Sequence, residues 1–238
     1  MTFAVLAGVI AALALTLLGI AGPAYRLGVF SLPTAFAMLR WAAYTGIASA
    51  AVGLLAGLLA YRRGARGTAL LAASAALAGI AAFGIPFEWQ RGASSVPPIH
   101  DISTDLEDPP TFEAIVPLRA DAPNSLERPA ELSEQQRLGY PDLAPITLPM
   151  PSDQAFDRAL AVAQQAGWVV VTADKDAGRI EATDTTRWFG FKDDVVVRLT
   201  PWGGGTRVDV RSVSRIGRSD VGTNARRIRQ YLSTLQSS

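Results

Sequence analysis

Hydrophobic positions are distributed very unevenly along this chain. Three almost uninterrupted apolar stretches, roughly 2–21, 39–60 and 68–87, fill its N-terminal part, and all acidic residues lie beyond Phe87. Each stretch is close to the ~20 residues that a helix needs to cross ~30 Å of hydrocarbon. Arg40, at an edge, is the only charge inside them. No Lys or Arg precedes the first stretch and no small-residue cleavage site comes after it, so a retained helix is preferred to a signal peptide. Small residues recur every four positions, at Ala4, Gly8, Ala12 and Thr16 and again at Thr45, Ser49, Gly53 and Gly57. Such faces let helix backbones approach closely, which predicts a packed three-helix anchor over residues 1–91.

Residues 92–151 change character. Prolines from Pro97 to Pro151 exclude long helices and central strands. One short helix fits "ELSEQQRLG", with Ser133 as cap and Gly139 as stop. A flexible spacer needs no apolar side chains, yet this one carries Ile99, Ile102, Leu106, Phe112, Ile115, Leu143 and Ile146. It is expected to dock on the C-terminal domain.

Residues 152–238 alternate between helical and strand periodicity. "SDQAFDRALAVAQQAG" is an amphipathic helix, with Ser152 or Asp153 as cap and Gly167 as terminator. Four strands come next, joined by short turns near Asp174–Gly178 and Gly203–Thr206, which predicts an antiparallel sheet. Val221, Ala225, Ile228, Leu232 and Leu235 then mark a last helix, with Arg226, Arg227 and Arg229 outside. The predicted class is α+β: a transmembrane anchor, then helix, four-stranded antiparallel sheet and helix. The proline-rich segment is expected to roof the sheet face that carries Arg207, Asp209 and Arg211.

Composition narrows the partners. The formal net charge is +1 over 238 residues, so nothing global points to nucleic acid. The lipid bilayer is the partner the apolar stretches imply. The absence of cysteine excludes disulfides and thiolate metal sites. Arg62, Arg63 and Arg66 crowd one short loop, which by the positive-inside rule is cytoplasmic, although Arg26 and Arg40 fall on the other side. The expected arrangement is a multi-pass protein of a bacterial inner membrane, with a cytoplasmic N-terminus and a periplasmic C-terminal domain.

Three places carry candidate chemistry. "PPIHDISTDLEDPP" holds His100, the sole histidine, with Asp101 and Asp105. It fits neither a calcium loop nor a zinc site, and a turn bonding its own backbone is the preferred alternative to ligand binding. "RSVSRIGRSDVGTN" offers Arg211, Arg215, Arg218, Ser219 and Asn224 before a helix. Either it holds an anion, or it is a corner capped by Ser219 or Asp220. Arg211 or Arg215 is expected to pair with Asp101 or Asp105. "RWFGFKDD" places Trp188 beside charged groups, as a pocket wall or as core flanking a turn. Asp193 and Asp194, adjacent on a strand, face opposite ways and make poor catalytic partners. No residue is assigned as catalytic or metal-binding, and no cofactor is implied.

"PPIHDISTDLEDPPTF", "EATDTTRWFGFKDDVVVRL" and "VDVRSVSRIGRSDVGTNARRIRQYL" together resemble the family called domain of unknown function 1499, over about 97–235. The N-terminal part is similar to proteobacterial members that carry membrane helices. The resemblance implies a fold and an envelope location but no reaction. The preferred reading is a binding or scaffolding module for an envelope protein or anionic ligand. The alternative is a hydrolase-like envelope enzyme using Asp and Arg groups.

Overall fold

A computed structural model describes residues 1–237, which form two compact units. The helical unit comprises Met1–Gly92 and Arg187–Gly190. It contains α1 (Thr2–Arg26), α2 (Leu32–Arg62) and most of α3 (Arg66–Ser94). All three helices are long and apolar enough to cross a membrane. They outrun the predicted stretches, because α1 continues through Pro23 and α3 through Pro86. Helical continuation is favoured where broken backbone groups would face hydrocarbon. Ser31 caps α2, its hydroxyl accepting from the Thr34 amide at 3.4 Å, and Pro33 sits harmlessly in the first turn.

The helical seam differs from the predicted faces. On α1 the buried row runs Ala4, Ala7, Ala11, Ala14, Leu18 and Ala21, with Gly22 and Ala24 also buried at its end, whereas Gly8 meets nothing within 4 Å and Ala12 and Thr16 are exposed. A row spaced by four drifts around a helix of 3.6 residues per turn; alternating steps of three and four stay on one face. On α2 the seam runs Ala35, Leu39, Ala42, Gly46, Ser49, Gly53, Ala56, Ala60. A Cβ at Gly46 would lie 2.6 Å from the Gly79 carbonyl, and one at Gly53 would lie 2.7 Å from that of Ala72. Here glycine is required by backbone contact. The fully buried Ser49 hydroxyl donates to Ala7 O at 3.0 Å and Ala75 O at 3.1 Å, bridging α1, α2 and α3.

The second unit begins at Ala93 and resumes at Phe191. Its elements are β1 (Asp101–Ser103), α4 (Ala130–Gly139), β2 (Ile146–Leu148), α5 (Ser152–Gln165), β3 (Val169–Asp174), β4 (Arg179–Thr185), β5 (Lys192–Trp202), β6 (Gly205–Ser214) and α6 (Thr223–Ser237). β3 to β6 form the antiparallel meander predicted, in the order β6-β5-β4-β3. The sheet nevertheless has six strands. β1 and β2, three residues each and set among prolines, lie end to end along the other edge of β6, pairing with Arg211–Val213 and Thr206–Val208. Strands this short carry no readable alternation. β1 in turn hides its own edge: the Gln136 side chain accepts from Ser103 N at 3.0 Å and donates to Ser103 O at 2.6 Å, as a neighbouring strand would.

α5 and α6 cover one face. Phe156, Ala159 and Val162 of α5 and Ala225, Ile228, Leu232 and Leu235 of α6 pack on Ile180, Val195, Val197, Val208 and Val210. Ile99, Ile102, Tyr140, Leu143 and Leu148 of the proline-rich segment join this core, while Phe112 and Ile115 cross to the opposite face and pack on Val196 and Val213. The segment therefore edges the sheet and covers both faces.

Caps deviate in detail. α5 has no side-chain cap, because the Ser152 hydroxyl meets that of Thr206 at 3.2 Å instead. Its end has the expected glycine: Gly167, at φ 81°, donates to Gln164 O and Trp168 donates to Ala163 O. α4 starts before Ser133, at Ala130, and has no side-chain cap. Val221 precedes α6, at φ 54°, rather than lying on its apolar stripe.

The seam makes a direct prediction. Gly79→Leu, which must push α3 from α2, should destabilise the detergent-solubilised chain by about 1–3 kcal/mol, as overpacking does. Gly84→Leu, at a glycine with nothing within 4 Å, should leave the melting temperature unchanged.

Candidate functional site

Strand alternation puts Glu181 and Thr183 of β4, Asp194, Val196 and Arg198 of β5, and Arg207, Asp209, Arg211 and Val213 of β6 on the face away from α5 and α6. Burying such residues is tolerable only if each charge is paired and bonded. Asp101, on the neighbouring β1, takes a two-pronged bond from Arg211, Nε to Oδ1 at 3.0 Å and Nη2 to Oδ2 at 2.7 Å. Arg128 adds a third contact at 2.9 Å, and all three side chains are at most 6% exposed. Burial lowers the Arg128 pKa; the Asp101 carboxylate opposes that shift and the Arg211 charge adds to it.

Asp194 forms the second knot. Its side chain is fully buried and receives Arg119 Nη1 at 2.5 Å, Arg215 Nε and Nη2 at 2.9 Å each, and the Thr183 hydroxyl at 2.7 Å. Burial opposes its charge, but the hydrogen bonds from Arg215, Thr183 and Arg119 together hold its pKa below the usual carboxylate range. Asp105 meets Arg207 at 2.7 Å and Arg198 at 3.3 Å, and both arginines also hold Asp209. Glu181 is met mainly by backbone: its two oxygens accept the amides of Glu113, Ala114 and Ile115 at 2.8–3.3 Å, with the Arg179 guanidinium farther off at 3.7 Å. Successive N–H groups aimed at one carboxylate make a backbone anion nest.

A further knot lies on the helix-covered face. Arg227, placed outside from the sequence, is buried. It contacts Asp184 at 2.8 Å and Asp193 at 2.6 Å, and donates to Asn224 and Ser212. It stands four residues before Tyr231, in the row that faces the sheet, so the helix turn overrides its charge. Asp193 and Asp194 do face opposite ways, and their partners are Arg227 and the Arg119–Arg215 pair.

The other sequence candidates fall in three places. Asn224, fully buried, donates to His100 O at 2.9 Å and to Ser214 Oγ at 3.0 Å, and accepts from Ser212 Oγ at 2.7 Å. The His100 ring lies 3.4 Å from Arg218 O, while the Arg218 side chain is exposed. The Ser219 hydroxyl accepts from Val221 N at 3.2 Å. Asp220 fills the N-terminus of α6, accepting from Gly222 N at 2.8 Å and Asn224 N at 2.7 Å. Burial raises its pKa; the two amides oppose that shift and Asp193 reinforces it. Trp188 belongs to the helical unit: its ring lies against Gly22, where a Cβ would come within 2.8 Å, and 5.0 Å from Trp89. His100, Asn224 and Arg218 thus share one corner and Asp101 and Arg211 another, while Trp188 belongs to the other unit. Sequence reasoning missed Arg119, Arg128, Gln136 and Glu181, whose partners are distant in the chain and carry no local spacing signal.

One cleft of about 410 Å³ opens between α5 and α6. Its walls include Gln165, Trp168, Asp184, Arg226, Gln230 and Tyr231. The Trp168 and Tyr231 rings stack with centroids 4.9 Å apart, and the Tyr231 hydroxyl, its pKa raised by burial, donates to Ala159 O at 2.9 Å. Among the described residues, no group of three or more His, Asp or Glu side chains is arranged to hold a metal.

Three long apolar helices followed by an antiparallel α/β domain knit by buried arginine–carboxylate pairs define a candidate multi-pass membrane protein with an appended mixed domain. The chain belongs to the family described as protein of unknown function (DUF1499), whose model matches residues 101–235. That match contains all of these charge knots. No curated protein matches the chain.

The Asp101–Arg211 pair is testable by a double-mutant cycle on the full chain in mild detergent, read by urea-dependent pulse proteolysis. Asp101→Ala and Arg211→Ala should each lose about 3–5 kcal/mol, because each strands a buried charge. The double variant should lose clearly less than their sum; additive losses would show that the two act independently.

Proposed function

We propose that this is a bacterial inner-membrane protein that holds its DUF1499 domain in the periplasm as a binding or scaffolding module. The supporting observation is that its buried carboxylates and the arginines that meet them bond to one another. Asp101, Asp194, Asp209, Arg211 and Arg227 each spend their bonding capacity on partners within the domain. A general acid or nucleophile needs a reactive atom within reach of substrate. These atoms are enclosed, so their chemistry is cross-linking. His100 has a backbone carbonyl, Arg218 O, beside its ring, and no carboxylate pairs with it among the described residues. Sidedness is supported by Arg62, Arg63 and Arg66, all exposed at the α2–α3 connection.

Two readouts on the full chain test this. A phosphatase reporter that works only outside the cytoplasm should be active when fused after Ser238 and silent after Arg63; the reverse pattern inverts the topology. Native mass spectrometry from mild detergent should show a small molecule that dissociates from the chain on activation. A chain carrying only detergent and lipid would contradict a small-molecule-binding role.

A further inference from the structure

The cleft between α5 and α6 differs from the rest of the domain in the bonds it leaves open. Most buried polar groups of the domain are tied to one another, whereas the cleft walls carry exposed polar groups at Gln165, Arg226 and Gln230. The amides of Gln165 and Gln230 bond to no other described side chain. Asp184 gives Oδ2 to Arg227, and its Oδ1 has no side-chain partner among the described residues. Arg226 donates to Val221 O at 3.0 Å and Thr223 Oγ1 at 3.1 Å but makes no ion pair among the described residues. The wall behind them is stiff: Trp168 stacks on Tyr231, Tyr231 is bonded to α5, and Arg227 is locked by two carboxylates. A cleft of 410 Å³ lies within the about 300–1,000 Å³ range of small-molecule sites.

The same groups restrict the ligand. An apolar molecule would cover Gln165, Gln230 and Asp184 Oδ1 without replacing their bonds to water, which is unfavourable. A phosphorylated molecule would bring a charge near −2 to a wall with one unpaired guanidinium and a half-open carboxylate. One carboxylate matches Arg226, and neighbouring hydroxyl and amide groups match Asp184 and the two glutamines, which both donate and accept. Resting on the binding-module reading, we propose that this cleft binds a sugar bearing a single carboxylate, with Arg226 holding the carboxylate and Asp184, Gln165 and Gln230 the hydroxyl and amide groups.

Titration calorimetry on the full-length protein in mild detergent tests this with two probes that differ by one lactyl carboxylate, N-acetylmuramic acid and N-acetylglucosamine. The acidic sugar should bind saturably and about tenfold more tightly than the neutral one, the size of effect expected for one charge-assisted bond. Arg226→Gln, at an exposed position, should bring the two sugars to equal affinity. Ala166→Trp, which fills the cleft mouth, should abolish binding of both. Absence of binding by either sugar overturns the inference, as does a preference that survives Arg226→Gln or binding that survives Ala166→Trp. A co-purifying molecule still carried by Ala166→Trp in native mass spectrometry would sink the cleft assignment and leave the binding-module reading standing.

Discussion

A carboxylate shut away from water must be met by cations or amide protons, because leaving it unpaired costs several kcal/mol. The sheet face opposite α5 and α6 buries Asp194, Asp209 and Glu181 together, with Asp101 beside them on β1. The strands alone cannot satisfy all of these charges. The missing donors come from the proline-rich segment: Arg119 and Arg128 supply guanidinium groups, and the Glu113–Ile115 backbone supplies amides. In return, Arg198, Arg207 and Arg211 of the sheet need Asp105 and Asp101 of the segment. Neither part is electrostatically complete without the other. This reciprocity explains why a chain so rich in proline takes one path across the sheet.

The two units solve the packing problem differently. The helical unit packs by close backbone approach at Gly46, Gly53 and Gly79 and by the Ser49 bridge, the means open to helices long and apolar enough to cross a membrane, since hydrocarbon gives no hydrophobic drive between helices. The DUF1499 domain uses apolar burial beneath α5 and α6, then adds directional charge pairing on the opposite face. Arginine suits that role because its planar fork can grip a carboxylate with two parallel bonds, as Arg211 grips Asp101.

Much of this was legible from periodicity. Apolar length marked the three helices, strand alternation marked β3 to β6, and the apolar residues among the prolines pointed to docking. Errors arose where the determining interaction is non-local. β1 and β2 are stabilised by β6, and α4 is positioned partly by Gln136 pairing with β1, so their own few residues carry little signal. Arg227 looked solvent-facing by residue type, yet its helical position and two distant aspartates bury it. The spacing-by-four rule misplaced Gly8 because it ignored the helix period. The polar face was readable as charged; which arginine meets which carboxylate was not, since Asp101–Arg211 and Arg119–Asp194 span most of the domain sequence.

The central claim is that the proline-rich segment is an integral part of the domain, held by buried charge. Native-state hydrogen exchange on the full chain tests it most directly, at the amides of Glu113 and Ile115 that bond the Glu181 carboxylate. The account predicts that these amides exchange only in step with the β5–β6 core, and that Glu181→Gln accelerates them selectively. Exchange at the rate of an open linker, with the β5–β6 amides still protected, would contradict it.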